Sequence, residues 1–171
     1  MFHRGKARFM SDDTRSPEQI VADLIEKSPI CMITTIGPDG RLLSRPMTRQ
    51  NSDFDGTLRL LAPRDGDLVS EIASNSHVNV SVQSSDGFVS VAGRAVVDDD
   101  RNAVAENWSP AVDAWFPDGP EQATSILVHA DSAEYWDSSG SSIAHIASFV
   151  RAVVSRDDRT PDMGDSGTVE L

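Results

Sequence analysis

The sequence predicts a mainly β protein, an antiparallel barrel with a few helices at its edges. Three observations carry that prediction. Between Ile30 and Ile72, apolar runs rich in β-branched residues are separated by Gly37-Pro38-Asp39-Gly40 and Asp53-Phe54-Asp55-Gly56, both of them turn chemistry. Val78, Val80 and Val82 alternate with Asn79, Ser81 and Gln83, the period of a half-buried strand. Six or seven short strands in a chain of 171 residues leave the fewest open edges by closing on themselves.

Taken in order, residues 1–14 are polar and read as a flexible N-terminus, followed by a single domain over 15–156 and a polar C-terminal tail over 157–171. Ser16-Pro17-Glu18-Gln19 is a helix start, with Ser16 as N-cap, Pro17 in the first helical position and Gln19 completing a capping box. Ile20, Val21, Leu24 and Ile25 form its apolar stripe, and Ser28-Pro29 ends it. Strands over Ile30–Ile36, Leu42–Thr48 and Thr57–Ala62 then form an antiparallel meander, leading into a helix over Leu68–Ser74 capped by Asp67.

A second hairpin joins the Val78–Val82 strand through Ser84-Ser85-Asp86-Gly87 to a longer strand, Phe88–Val97, with Gly93 as a bulge. Asp98-Asp99-Asp100 caps a helix reaching Trp108; the run suits a helix dipole better than a metal, since nothing nearby has ligand spacing. An aromatic and proline-rich connector follows, then closing strands over Thr124–Ala130 and Ala133–Trp136. Ser141 or Ser142 caps a last helix with an apolar stripe through Ile143, Ile146, Ala147, Val150, Val153 and Val154.

Composition narrows the function. A net charge of −12 opposes both the phosphate backbone of nucleic acid and anionic membrane surfaces. No apolar run approaches the ~20 residues of a membrane span, and the first ten residues lack the apolar core of a secretory signal, so a cytoplasmic protein is expected. Cys31 is the single cysteine, which excludes a disulfide within the chain; inside an apolar run it reads as a small buried hydrophobe. His3, His77, His129 and His145 are scattered without ligand spacing, and no serine stands in a nucleophile elbow, so neither a metal site nor a hydrolase triad is expected.

One stretch does point to a ligand. A strand that runs into a helix presents unpaired backbone N–H groups and a partial positive charge, which suits an anion; here that junction is the end of the Thr57–Ala62 strand and the Leu68–Ser74 helix. Arg45 lies within a strand, where it is costly to bury unpaired, so it needs a ligand anion or a carboxylate. Pro46 cannot donate to a sheet ladder and fits an edge or a place beside a planar ligand. Trp115, Phe116 and Trp136 are suited to stacking on a ring, or equally to filling a core or a subunit seam.

The segments ICMITTIGPDGRLLSRPM, LVSEI followed by HVNVSV, FVSVAGRAVVDDD, NWSPAVDAWFPDGP, SAEYWDS and the terminal GTVEL occur in that order over Ile30–Leu171. Together they resemble the general stress protein branch of the pyridoxamine phosphate oxidase-like family. The resemblance implies a six-stranded antiparallel FMN-binding split barrel, assembled as a homodimer with two flavin sites at the subunit interface. It implies FMN, with FAD as the alternative, held along Arg45, Pro46, Met47 and Thr48, with the phosphate taken near Leu61, Ala62, Arg64, Gly66 and Leu68. It also places Gln83 near the flavin, and Trp115 is the aromatic expected to stack on its ring. No side chain is assigned a catalytic role, because electron transfer at a flavin needs none.

The chain departs from that pattern at the phosphate. Where relatives show a hydroxyl residue, a serine and a lysine, this sequence has Ala62, Gly66 and Leu68. Each missing charge-assisted hydrogen bond is worth about 1.5–3 kcal/mol. Arg64 and Arg45 are the cations left to compensate. Two functions therefore stand: a flavin-dependent oxidoreductase, or a non-catalytic dimer that binds flavin without turnover or has lost it.

Overall fold

The computed structural model describes residues 15–50, 53–137 and 165–171. The elements are α1 (Pro17–Glu26), β1 (Ile30–Ile36), β2 (Leu42–Thr48), β3 (Thr57–Pro63), α2 (Asp67–Ser74), β4 (His77–Gln83) and β5 (Gly87–Asp98). They continue through α3 (Arg101–Glu106), α4 (Pro110–Asp113), a short helical turn Pro120–Gln122, β6 (Ala123–Asp137) and β7 (Asp165–Glu170). The strands form one antiparallel sheet in the order β2-β1-β4-β5-β6-β3, with β7 added to β6. The sheet curls but does not close. Among the described residues a single bridge, from Arg49 just after β2 to Leu60 of β3, joins its two end strands where a closed barrel would have a full ladder.

That seam corrects the expected meander. The strand bounds agree with the sequence reading, and β1 and β2 form the expected hairpin from Ile30↔Thr48 to Ile36↔Leu42. β3, however, pairs with β6 from Thr57↔His129 to Pro63↔Ala123 rather than with β2. A turn cluster states that the chain reverses, not which edge the next strand joins. The expected closing strands are likewise one long strand, β6, whose register against β5 shifts between Ala92 and Gly93. Gly93 is needed there: a Cβ would lie 2.2 Å from the His129 carbonyl oxygen.

The barrel interior is filled by inward-facing residues of every strand, with Ile33, Leu58, Leu60, Val80, Val91, Ile126 and Val128 fully buried. α1 plugs it with Val21, Leu24 and Ile25. Its start is the predicted capping box: the Gln19 N–H donates to Ser16 Oγ at 3.3 Å and the Ser16 N–H to Gln19 Oε1 at 2.8 Å. A second apolar cluster of Leu61, Val104, Val112, Phe116 and Ala123 lies under α3 and α4, with Trp108 tilted against Phe116 at 5.6 Å between ring centroids. Leu60, Leu61 and Ala62 of β3 are buried in succession because one face meets the barrel interior and the other this outer cluster.

Two helix boundaries differ from expectation. Asp67 is the first residue of α2 rather than its cap; Gly66 takes the cap position and supplies no side-chain hydrogen bond. α3 is capped by Asp100 as expected but stops at Glu106, where Asn107 Nδ2 turns back to the Ala103 carbonyl at 2.7 Å. β7 is a strand within the stretch read as a polar tail. The expected helix over Ile143–Val154, with its Ser141 or Ser142 cap, lies outside the described residues.

Candidate functional site

The open seam between β2 and β3 forms a cleft. Pro46, Met47 and Thr48 of β2 line one wall and Leu61 and Pro63 of β3 the other, while Val112, Trp115 and Phe116 roof it from α4 and the connector. Its volume is about 290 Å³, at the small end of the roughly 300–1,000 Å³ of ligand pockets. It thus brings together Pro46, Met47, Thr48, Leu61 and Trp115 of the predicted site. Trp115 is 72% exposed, so its indole overhangs the cleft instead of anchoring a core.

One residue missed by sequence reasoning stands in this cleft. Gln50 follows β2, is only 5% exposed, and lines the cavity; among the described residues its side-chain Nε2 has no hydrogen-bond partner. A buried amide donor left unpaired costs about 1–3 kcal/mol, so such an atom marks a place where something else supplies an acceptor. Its backbone is held by the seam itself, with the Gln50 N–H donating to the Arg59 carbonyl at 2.9 Å. Neighbouring Arg49, also buried, donates to the carbonyls of Gln50 at 2.9 Å, Glu26 at 3.3 Å and Ser28 at 3.4 Å. It ties the seam to the end of α1, where a cation also meets the negative end of the helix dipole. The sequence signal was present in the polar pair Arg49-Gln50 after an apolar strand, but nothing local states that both are buried.

Arg45, the expected anion clamp, is already occupied. Its guanidinium forms a two-pronged pair with Glu71 of α2, Nη2 to Oε1 at 2.6 Å and Nη1 to Oε2 at 2.7 Å. Thr35 Oγ1, fully buried on β1, donates to Glu71 Oε2 at 2.5 Å and accepts from Arg45 Nη1 at 3.1 Å. Glu71 is buried, and the Arg45 hydrogen bonds hold its carboxyl below the usual range against the opposing effect of desolvation. The same pairing raises Arg45 above its ordinary value. The cavity of about 470 Å³ beside this pair contains Asp39, Asp67 and Glu71 against Arg41 and Arg45, three carboxylates to two guanidiniums.

The remaining predicted residues are dispersed. Ala62 and Leu68 turn their side chains into the hydrophobic core. A lysine at position 68 would therefore be buried among apolar groups in this chain. Gly66 donates its N–H to the Pro63 carbonyl at 3.0 Å, and the Arg64 N–H is used by the Gln122 carbonyl at 2.7 Å. Arg64 Nη1 lies 3.4 Å from Asp99 Oδ1 in an exposed pair. Gln83 lines a separate open depression of about 1060 Å³ on the β1–β4–β5 face, together with Ile30, Met32, Phe88 and Trp136. No group of three or more metal-ligating side chains occurs among the described residues.

An antiparallel barrel left open along one seam, with a small cleft in the opening, is the split-barrel class of protein. Over residues 16–162 the sequence matches the family "Pyridoxamine 5'-phosphate oxidase like", and the chain belongs to that family. Among solved structures it is similar to a Clostridium acetobutylicum protein related to general stress protein 26 of Bacillus subtilis (TM-score 0.65, 15% identity, 89% of this chain and 92% of that one). A Jannaschia sp. CCS1 protein described as a general stress protein 26 superposes with TM-score 0.64 at 26% identity, covering 87% of this chain and 94% of that one. General stress protein 26 of Bacillus anthracis str. Sterne gives TM-score 0.59 at 20% identity over 66% and 88%. No curated protein sequence matches the chain.

A flavin mononucleotide has two parts, and they fit unequally. The largely apolar seam cleft, with its exposed indole and unpaired amide donor, suits a planar ring edged with acceptors. Among the described residues, those predicted to take the phosphate do not fit it: Arg45 is paired, Arg64 faces Asp99, Gly66 and Leu68 offer no polar side chain, and the N–H groups of Arg64 and Gly66 are spent internally. The carboxylate of Asp67 in the first turn of α2 offsets the positive end of that helix.

Proposed function

We propose that this chain is a flavin-binding split-barrel protein that holds the ring of the flavin in the seam cleft, as a homodimer. The observation that carries the reading is the seam cleft itself, lined by apolar groups and Trp115, with Gln50 on its wall carrying a buried Nε2 that has no hydrogen-bond partner among the described residues. An acceptor on a bound ring would satisfy that donor, and Trp115 would cover the ring face. The homodimer is supported by exposed Ile30, Met32 and Phe88 around the large depression on the β1–β4–β5 face, an apolar surface of the kind that marks an interface. A bound flavin would supply hydride and electron transfer, which makes an oxidoreductase the reading of first choice.

The test is the absorption spectrum of the protein as purified, and after incubation with riboflavin, FMN and FAD, alongside thermal shifts. Flavin bands that persist through gel filtration, and weaken in Trp115→Ala, are expected. A colourless protein with no shift from any flavin overturns the proposal. Reduction of the bound flavin by NADH or NADPH, followed by reoxidation, separates the oxidoreductase from a binder without turnover. One observation favours a second reading, a dimer that has lost its cofactor: the cation expected to meet the phosphate is engaged by Glu71.

A further inference from the structure

Resting on that flavin reading, we infer that Arg49 is a positioning residue for the seam cleft: without touching the ligand, it fixes the wall residue Gln50, and the grip of the cleft on a flavin ring depends on it. Thr48 and Gln50 both line the cleft, and Arg49 between them does not. That is the alternation of an extended chain, whose successive side chains point to opposite sides. Arg49 stands behind the wall, toward α1. It is 6% exposed, and its guanidinium spans the Gln50 carbonyl and the carbonyls of Glu26 and Ser28 at the end of α1. A buried guanidinium is costly unless fixed acceptors meet its donors, and its planar fork accepts few arrangements of them. The side chain therefore locks the Gln50 peptide to the helix end in one geometry.

The backbone repeats the connection. The Arg49 N–H donates to the Pro29 carbonyl at 2.8 Å, which extends the β1–β2 ladder by one residue, and the Gln50 N–H donates to the Arg59 carbonyl of β3 at 2.9 Å. Arg49 itself bridges to Leu60, and the next residue, Leu61, lines the opposite wall of the cleft. Gln50 thus takes its place from β1, α1 and β3 together, with Arg49 in contact with all three. A polar group serves a ligand only if it is held within about 0.5 Å of the productive position. Gln50 carries a buried amide donor with no partner among the described residues, so its backbone is where such control matters.

The probe is whichever of riboflavin, FMN and FAD binds the unaltered chain most tightly, followed by quenching of flavin fluorescence. Arg49→Lys keeps a cation at the end of α1 but has no fork to span it and Gln50. It is expected to bind the flavin about tenfold more weakly, the worth of one ordinary hydrogen bond, and Gln50→Leu to show a similar loss. In Arg49→Lys/Gln50→Leu the affinity is expected to stay within about twofold of Gln50→Leu alone, because residues acting through one contact are not additive. The absorption band of the bound flavin is expected to move alike in the two single variants, which a purely structural role for Arg49 would not produce. Should lysine unfold the chain, Arg49→Met is measured in its place. Unaltered affinity at position 49, or losses that add in the double variant, overturns the inference and leaves the flavin reading standing. Unfolding of both position-49 variants also overturns it, by assigning Arg49 to the fold alone. Failure of all three flavins to bind the unaltered chain overturns the flavin reading and the inference with it.

Discussion

Removing the carboxylate of Glu71 measures how firmly Arg45 is held. In Glu71→Ala the Arg45 guanidinium, whose side chain is 30% exposed, loses both of its charge-assisted partners. Thr35 Oγ1, with no exposure, keeps only a 3.4 Å contact to the Leu43 carbonyl as a place to donate. Breaking a buried pair from one side costs about 3–5 kcal/mol, and the partial exposure of Arg45 discounts that, since water can reach the stranded cation. The stranded hydroxyl adds about 1 kcal/mol. Together about 2–4 kcal/mol is expected, equivalent to a fall in Tm of about 5–15 °C for a domain of this size. Urea denaturation monitored by tryptophan fluorescence reads it, with the double variant Arg45→Met/Glu71→Leu as control. Apolar replacement of both partners should recover most of the loss, because the cost lies in the unpaired charge and not in the missing pair. A loss below about 1 kcal/mol in Glu71→Ala would refute the reasoning, for it would place the pair among solvent-screened surface bridges and leave Arg45 free to exchange onto a phosphate.

Two further predictions concern titration. The carboxyls of Glu71, Asp55 and Asp86 are all held below their ordinary values, by hydrogen bonds from Arg45, Arg59 and Lys27 respectively. Their contribution is therefore complete above the unfolded values and lost as pH falls through the lower folded ones. Urea midpoints should be flat from neutral pH to about 5 and decline below the ordinary glutamate value of 4.5, less steeply in Glu71→Gln; a midpoint that rises on acidification would contradict the sign. Burial pushes the Cys31 thiol up to about 11, Arg49 only partly opposing it, so the thiolate is scarce at pH 8. Cys31 should resist an aromatic disulfide reagent in the native protein and titrate one equivalent after unfolding; full reaction in the native state would show the β1 core to be open.

What could be read from the sequence was what is local. Ser16 and Gln19 declare a capping box because both halves of the motif act within four residues, and Val78, Val80 and Val82 declare a strand because burial of one face imposes period two. Gly93 declares a bulge because only glycine admits the approaching His129 carbonyl. The pairing of β3 with β6 was hidden, since strand partners so distant in sequence leave no local mark. β7 was hidden because Asp165–Glu170 holds one buried apolar residue, Val169, too little for any periodicity to register. The site followed the same division. Pro46, Met47, Thr48, Leu61 and Trp115 fall in one cleft, whereas the partner of Arg45 comes from α2 and Gln50 is held at the one bridge that crosses the open seam.

The two halves of the candidate site differ in what holds them, and this explains how one can change while the other persists. The cleft is a by-product of the fold: β2 and β3 diverge because β3 is recruited to β6, and the outer cluster of Leu61, Val112 and Phe116 supplies the roof whether or not a ligand binds. At the predicted phosphate end, by contrast, Ala62 and Leu68 belong to the core while Arg64 and Gly66 lie at the surface turn before α2. Gly66 caps α2 without a side-chain hydrogen bond, and Leu68 is stabilised by its burial in the core. Arg45 is then a cation with no anion on a part-buried strand, a state that is unfavourable until a carboxylate arrives. Glu71, one turn beyond Leu68 on the same helix, is placed to provide it. Glu71 and Leu68 thus act together from one helix: Leu68 packs α2 onto the core, and that packing sets Glu71 against Arg45 on β2, so loosening Leu68 should also weaken the pair.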